Sequence, residues 1–233
     1  MSSLKNIKLN TPTFREIIPS SKKEILITPF KVGDEKVMLM AAESKDNKMI
    51  VDTIKRVVGN CVQGEEIQNL SSFDLEYLFL KIRSVSVGET ADLLIDCVSC
   101  NTANEVKVDI SKITVQGIEK FSTTVKISDE LSFLMKLPEM ESYINIDAAD
   151  PDSILKFLGS NVSKVFYGEE VIDVGLNEID DVVNILDQLT SSQFESLQNF
   201  VVSIPKVSMD INFKCKNCLV ETNNKLEGLA DFF

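Results

Sequence analysis

The spacing of apolar residues predicts a helical region over residues 33–90. Its apolar positions recur every three or four residues in two stretches that are separated by Ser44–Asn47. We therefore expect two helices, the second ending at Gly59-Asn60, a pair suited to a left-handed cap. A third helix is predicted to begin at a capping box formed by Ser71 and Asp74. Its apolar stripe comprises Leu75, Leu78, Phe79 and Ile82, and we expect this stripe to pack in the core. The alternative is that the apolar residues beyond one stripe form a docking face for another subunit.

The first 32 residues show a different pattern. Three prolines interrupt short β-prone pieces such as Glu24–Thr28. Residues 1–32 are therefore predicted to be an extended arm with one or two strands.

Beyond residue 90 the period changes to two, which is typical of strands. Alternating segments flank the turn Cys97-Val98-Ser99-Cys100, and alternating segments also flank Cys215-Lys216-Asn217-Cys218. Asn101, just past the first turn, suits a positive φ. We therefore predict two strand–turn–strand units, the halves of a split ribbon, over residues 91–110 and 205–226.

Residues 111–204 form a mixed α/β insertion between these halves. Helices are predicted to begin at Asp150-Pro151 and to cover Asn177–Leu189. Val162–Ile172 is predicted to be a strand pair or an irregular crossing, and a capping box at Ser192 to Glu195 begins another helix. The part before residue 150 has no clear pattern. Residues 227–233 carry Leu229, Phe232 and Phe233, and they are predicted to be a docking tail, either on the ribbon or on a neighbouring protein.

The two Cys-x-x-Cys pairs predict one four-thiolate zinc site. A pair on a tight turn directs both sulfurs to one tetrahedral ion, and two pairs complete a closed structural site. The predicted ligands are Cys97, Cys100, Cys215 and Cys218. Separate roles, including metal-free thiols, are the alternative. The predicted fold class is α+β, with a helical N-terminal half and a zinc-ribbon-like β unit split by the insertion.

The amino-acid composition of the chain argues against several kinds of functional site. The chain has 24 basic and 36 acidic residues, a formal charge of −12, and no histidine. The charge argues against nucleic-acid binding, which needs a basic face. Without histidine, the usual Cys-His and Ser-His pairs are excluded, and any zinc must be held by sulfur alone. We predict no catalytic residue, no small-molecule substrate, and for Cys61 a buried apolar role.

The chain has no window of about 20 apolar residues, and its first residues lack the apolar core of a signal peptide. We therefore expect no membrane span and a cytosolic protein. Cytosolic thiols stay reduced, which favours metal binding over disulfides.

Three stretches occur in an order that points to one protein family. They are Ala42-Glu43-Ser44-Lys45-Asp46 with a following helix to Asn60-Cys61; Phe73-Asp74-Leu75-Glu76-Tyr77-Leu78-Phe79-Leu80-Lys81-Ile82-Arg83-Ser84 with Ser86-Val87-Gly88-Glu89; and Leu189-Thr190, Gln193-Phe194, Ile204-Pro205, the Cys215/Cys218 turn and Leu226-Glu227-Gly228-Leu229-Ala230-Asp231-Phe232-Phe233. From about residue 30 onward the chain resembles the baseplate hub proteins of T-even-like contractile-tailed bacteriophages. It differs at Leu219, where members of the family often carry glycine.

This resemblance implies a non-enzymatic structural or assembly component of a phage tail baseplate hub, which binds other baseplate proteins. Its expected locations are the host cytoplasm during assembly and the tail baseplate of the virion. The alternative is a transient assembly chaperone that is absent from the mature virion. An enzymatic role, as a thiol oxidoreductase or a carboxylate hydrolase, is the third and weakest hypothesis.

Overall fold

The computed structural model describes residues 9–67, 70–144, 146, 147 and 149–232. The chain divides into two compact units. Unit 1 takes the described residues of Met1–Gln68, Asp74–Thr114 and Ser208–Phe233, and unit 2 takes those of Asn69–Phe73 and Val115–Val207. Helices and antiparallel sheets both contribute, so the predicted α+β class is confirmed.

Unit 1 begins with a small antiparallel sheet. Strands β1 (Phe14–Ile17), β2 (Glu24–Ile27) and β3 (Val62–Gln63) lie in the order β1-β2-β3. Ile25 and Ile27 of β2 are buried, while Glu24 and Leu26 are exposed. One or two strands are expected in the N-terminal arm and two are present, and residues 1–8 of that arm lie outside the described residues.

Two helices follow, α1 (Val32–Ser44) and α2 (Asn47–Cys61), joined where the sequence predicts. The Asp46 carboxylate accepts a hydrogen bond from the Met49 amide at 3.1 Å and caps α2. The prediction that α2 ends at Gly59-Asn60 is wrong. The helix continues to Cys61 and passes directly into β3, with Val62 already extended, so no left-handed cap is needed.

Helix α3 (Ser72–Val87) supplies most of the core of unit 1. Four of its residues are completely buried: Leu75, Leu78, Leu80 and Ile82. These positions fall on more than one side of the helix, and a helix that is apolar all round is stable only when it is enclosed. Of the two readings of its apolar stripe, core packing is the one that the burial supports.

Two β-hairpins complete the sheet structure of unit 1. Strands β4 (Thr90–Asp96) and β5 (Ala103–Asp109) pair from Thr90↔Asp109 to Asp96↔Ala103. Strands β11 (Lys206–Lys214) and β12 (Glu221–Glu227) pair up to Lys214↔Glu221. Strand β6 (Thr114–Gln116) lies at the boundary between the units along the chain.

The chain after β12 packs against α3. Leu229–Phe232 forms a single 3-10 turn, and the Phe232 side chain is only 1% exposed. The Leu229 amide donates a hydrogen bond to the carboxylate of Glu76 on α3. Burial raises the pKa of Glu76 to about 7, although this hydrogen bond opposes the shift. The described part of the tail thus belongs to the fold of unit 1.

Unit 2 is built on a four-stranded antiparallel sheet. Its strands are β7 (Thr124–Lys126), β8 (Leu131–Met135), β9 (Val162–Tyr167) and β10 (Glu170–Asp173), in the order β10-β9-β8-β7. The strand pair predicted over Val162–Ile172 is confirmed as β9 and β10, which are joined by a two-residue turn. Strands β7 and β8 lie in the stretch before residue 150 that has no clear sequence pattern.

Three helices accompany this sheet, α4 (Pro151–Ser160), α5 (Ile179–Asp187) and α6 (Ser191–Ser203). Helix α4 begins at Pro151 as predicted, and the Asp150 carboxylate caps it by accepting a hydrogen bond from the Asp152 amide at 3.1 Å. The predicted capping box of α6 is misplaced by two residues: it joins Thr190 to Gln193. The core contains Phe133, Leu158, Leu186 and Leu197, all nearly inaccessible to solvent.

No helix within the described residues is both long and apolar enough to cross a membrane.

The buried Glu76 carboxyl makes the stability of unit 1 depend on pH. Its pKa is about 7 in the folded protein and has an ordinary value of 4.5. Below pH 4.5 the carboxyl is protonated in both states, and as the pH rises through 7 the folded state loses stability relative to the unfolded one. We expect Glu76→Gln to stabilise the protein by roughly 1–3 kcal/mol at pH 8 and much less at pH 5.

Urea unfolding of both proteins at the two pH values measures this difference. Glu43→Gln removes an exposed carboxylate of α1 and is the matched control. An advantage of Glu76→Gln that is equal at pH 5 and pH 8 would show that the carboxyl does not titrate in this range.

Candidate metal centre

The four cysteines of the two Cys-x-x-Cys pairs meet at the ends of the two hairpins of unit 1. Cys97 follows β4 and Cys215 follows β11, and their partners Cys100 and Cys218 lie on the same turns. The four sulfur atoms all lie within 4.8 Å of one another. Residues separated by more than a hundred positions along the chain thus form one cluster.

The two cysteine turns have the same backbone geometry. In the first, the Cys97 amide donates to the Thr102 carbonyl at 3.0 Å, and the Asn101 amide donates to the Cys97 carbonyl at 2.8 Å. The second repeats both bonds, from Cys215 to Val220 at 3.0 Å and from Leu219 to Cys215 at 3.1 Å. Each turn therefore presents its two sulfurs in the same way, which places the ligands around a local pseudo-two-fold axis.

Both turns end at a residue with positive φ. Asn101 has a φ of 50° and Leu219 has a φ of 61°, so the expectation of a positive φ at Asn101 is confirmed. Asparagine tolerates this conformation, whereas a leucine there costs about 1–2 kcal/mol. A backbone conformation that glycine adopts without strain is thus imposed on Leu219, whose side chain is also exposed to solvent.

The sulfur separations fit a tetrahedral thiolate site. Cys97 Sγ lies 3.7 Å from Cys218 Sγ, and Cys100 Sγ lies 3.6 Å from Cys215 Sγ. Four sulfurs at the zinc–thiolate distance of about 2.3 Å from one centre are about 3.8 Å apart. A disulfide requires about 2.05 Å, and none of the five cysteines is oxidised in this way. The donor set is therefore chemically and geometrically suited to one zinc ion.

Hydrogen-bond donors surround the sulfurs. Cys97 and Cys215 are completely buried. The Asn217 backbone amide donates to Cys215 Sγ at 3.4 Å, and the Asn217 side-chain amide donates to Cys100 Sγ at 3.7 Å. Such donors compensate part of the charge that metal-bound thiolates carry. The hydrogen-bond donors around the cluster thus stabilise negatively charged sulfur atoms.

The pKa values of the thiols reflect these contacts. The Ser99 amide lowers the pKa of Cys97, and the Thr102 hydroxyl and amide lower that of Cys100 to about 6. At Cys218 the Val220 amide lowers the pKa, but burial and the neighbouring sulfurs raise it more strongly, to about 12. Four adjacent thiols cannot all ionise cheaply without a cation, so full deprotonation requires a bound metal.

Two buried polar residues connect the turns, and neither is among the residues that the sequence predicts for the site. Asn104 donates from Nδ2 to the Thr102 carbonyl at 2.6 Å and accepts at Oδ1 from the Lys216 amide at 2.9 Å. Its Nδ2 also lies 3.8 Å from Cys215 Sγ. Thr222 occupies the equivalent place on β12, with its hydroxyl 3.7 Å from Cys97 Sγ. Each residue thus contacts the first cysteine of the opposite turn.

The sequence contains a pattern that distinguishes Asn104 and Thr222. Asn104 and Thr222 each follow the first cysteine of their own turn by the same interval, and both fall at inward positions of alternating strands. A polar residue at an inward strand position needs a buried partner, and here the partner is the other turn.

Cys61, the fifth cysteine, lies apart from the cluster. It is buried at the end of α2, beside a depression of about 450 Å³ that is lined largely by polar residues including Thr28, Lys31 and Asn60. Burial raises the pKa of its thiol to about 11, and the Asp34 carboxylate adds to this effect. A thiol that stays protonated at neutral pH is a poor nucleophile and a poor metal ligand.

Comparison with known proteins gives one match. A family model described as T4 bacteriophage base plate protein matches residues 11–233. No curated protein and no solved structure matches the chain. The matched range includes both cysteine turns.

Leu219 provides a test of the strain at the second turn. Replacing it with glycine relieves the positive φ and removes an exposed apolar side chain that contributes little to packing. We expect Leu219→Gly to raise the free energy of unfolding of the metal-loaded protein by about 1 kcal/mol, since the entropic cost of glycine offsets part of the relief.

Chemical unfolding in the presence of zinc measures the change. Leu94→Gly removes an exposed leucine from a strand with ordinary backbone and should instead destabilise the protein. Equal destabilisation by both substitutions would show that the turn is not strained.

Proposed function

The chain belongs to the T4 bacteriophage base plate protein family, and from this premise we propose that it is a non-enzymatic component of the baseplate hub whose fold is stapled by one zinc ion. Membership of this family makes it a structural or assembly component of a phage base plate, with other tail proteins as its partners. The assignment to the hub rests on the resemblance of the stretches at residues 42–61, 73–89 and 189–233.

The observation that carries the zinc proposal is the convergence of four sulfurs within 4.8 Å. Cys97, Cys100, Cys215 and Cys218 would each supply one thiolate, which fills all four positions of a tetrahedral ion. A site without an open position is structural, because no substrate or water can reach the metal. Bound zinc would supply roughly 10 kcal/mol or more of folding free energy.

The same geometry argues against a thiol oxidoreductase. In this proposal all four clustered thiols are committed to the metal, and the Cys61 thiol is kept protonated by its burial. A redox Cys-x-x-Cys also needs an accessible, low-pKa thiol that attacks a substrate disulfide; Cys100 has the low pKa, but it is half-buried and its sulfur faces Cys215 Sγ of the opposite turn at 3.6 Å. In this proposal the metal stabilises the fold, and the folded protein acts by binding other base plate proteins.

Helix α1 offers a surface for that binding. Val32 is 82% exposed, Leu39 is 62% exposed and Met40 is 53% exposed, whereas Ala41 is the residue of this helix that is buried. Neighbouring exposed apolar residues of this kind on a folded protein commonly mark a contact with another protein, and methionine adapts to the shape of its partner. Because Phe232 is already buried within unit 1, we assign partner contacts to α1 rather than to the tail.

Two measurements test the role in the base plate. The tagged protein is co-expressed with each base plate protein of the same phage, and complexes are detected by co-purification. A protein that stays monomeric beside all of them contradicts the proposal. Mass spectrometry of mature virions then separates the alternatives, since a hub subunit is present and a transient chaperone is absent.

Metal analysis tests the zinc staple. We expect about one zinc per chain in wild-type protein, and a large loss of zinc in Cys215→Ser, because three thiolates bind much more weakly than four. Cys61→Ala is the matched control and should retain the ion. Removing zinc with a chelator should raise amide exchange in β4, β5, β11 and β12 while unit 2 keeps its protection. Full zinc content in Cys215→Ser would contradict the site.

A further inference from the structure

The sheet of unit 2 ends in an exposed edge strand. Strand β10 pairs with β9 on one side only, and all four of its residues are exposed. Val171 is 57% exposed and Ile172 is 48% exposed, although alternate residues of a strand point to opposite faces. Both faces of β10 are therefore uncovered, as well as its edge.

The register shows which backbone groups of β10 point outward. Tyr167 and Glu170 close a two-residue hairpin turn, so Glu170 and Ile172 direct their amide and carbonyl groups to β9. The same alternation continues at Val174, whose amide donates to the Ser163 carbonyl at 2.9 Å. Val171 and Asp173 thus present their amide and carbonyl groups away from the sheet. These groups have no hydrogen-bond partner among the residues that the structure describes.

The charges near this edge favour one kind of occupant. Glu169, Glu170 and Asp173 are exposed, and Lys164 is the cation paired with Asp173, at 2.8 Å. A second copy of β10 with its turn would bring six carboxylates together, and opposed like charges destabilise strand pairs. Each face of β10 carries one exposed apolar residue and one carboxylate, since Glu170 and Ile172 share one face and Val171 and Asp173 share the other. A strand that carries both apolar residues and lysine or arginine on each of its faces would match this pattern.

We propose that β10 is a strand-addition site, which takes up an extended, basic and apolar segment of another base plate protein as the next strand of the sheet of unit 2. Main-chain hydrogen bonds from Val171 and Asp173 hold the segment, Val171 and Ile172 contact its apolar side chains, and Glu169 and Glu170 pair with its cations. This inference rests on the proposed function for the identity of the partner.

Amide hydrogen exchange gives a direct readout. In the free protein, the amides of Glu170 and Ile172 should be protected and those of Val171 and Asp173 should exchange rapidly. In a complex with a co-expressed base plate protein, the amides of Val171 and Asp173 should become protected. A short synthetic peptide with the repeat Lys-Lys-Val-Val, which places lysine and valine on both faces of a strand, should give the same protection at high concentration, and its glutamate counterpart should not.

Two pairs of variants locate the contact. Val171→Pro removes an amide that β9 does not use, so the hairpin is retained, and binding should weaken at least about tenfold. Val171→Thr keeps the amide and the strand propensity, and it should bind almost as wild type does. Glu170→Lys should weaken binding about two- to fivefold, whereas Asp187→Lys on α5, with the same change in charge, should leave it unchanged.

The outcomes separate the site from the function. The strand-addition site is overturned if the amides of Val171 and Asp173 still exchange rapidly in the complex, or if Val171→Pro binds the partner as tightly as the wild type does. Either result leaves the proposed function standing. Dissociation of a homodimer by Val171→Pro would identify a second copy as the occupant and also overturn the inference. If no base plate protein binds the wild type, the proposed function fails. The peptide experiment then decides on its own whether β10 accepts an added strand.

Discussion

The approach of four sulfurs to within 4.8 Å of one another is the constraint on which the architecture of unit 1 depends. It requires the ends of two hairpins, separated by residues 101–214, to meet in a fixed orientation. Closing so long a segment costs conformational entropy, and the growth of this cost with length is slow, so one strong interaction can offset it. A metal–thiolate cluster would be such an interaction, because four thiolates bind one ion much more tightly than two or three do.

The two cysteine turns achieve one geometry with different sequences. Asn101 accepts the positive φ easily, while Leu219 is strained in it. Asn104 and Thr222 likewise perform equivalent contacts with different polar groups. What is common to the turns is the position of the sulfurs, the backbone hydrogen bonds and the inward polar residue. Strain at Leu219 is tolerated because the surrounding bonds determine the turn more strongly than its own preference does.

The sequence predicts those features that depend on local pattern. The α+β class follows from the change of hydrophobic period, and the helix at Pro151 follows from its cap. The end of α2 was mispredicted because the chain enters β3 directly, which a local stop signal at Gly59-Asn60 does not reveal. The role of Asn104 depends on contact with residues more than a hundred positions away, and the exposure of β10 depends on its place in a sheet order. Contacts of this kind are not encoded in a window of neighbouring residues.

The distribution of the two units along the chain has a consequence for synthesis. All residues of unit 2 precede Ser208, so they are synthesised before the second cysteine turn. Unit 1 cannot close until Cys215, Cys218 and Phe232 are also available, since the two cysteines supply half of the cluster and Phe232 fills the core beside α3. Every residue of unit 2 is thus synthesised while unit 1 is still open, and the apolar residues of α3 stay uncovered until these last residues of unit 1 have been added.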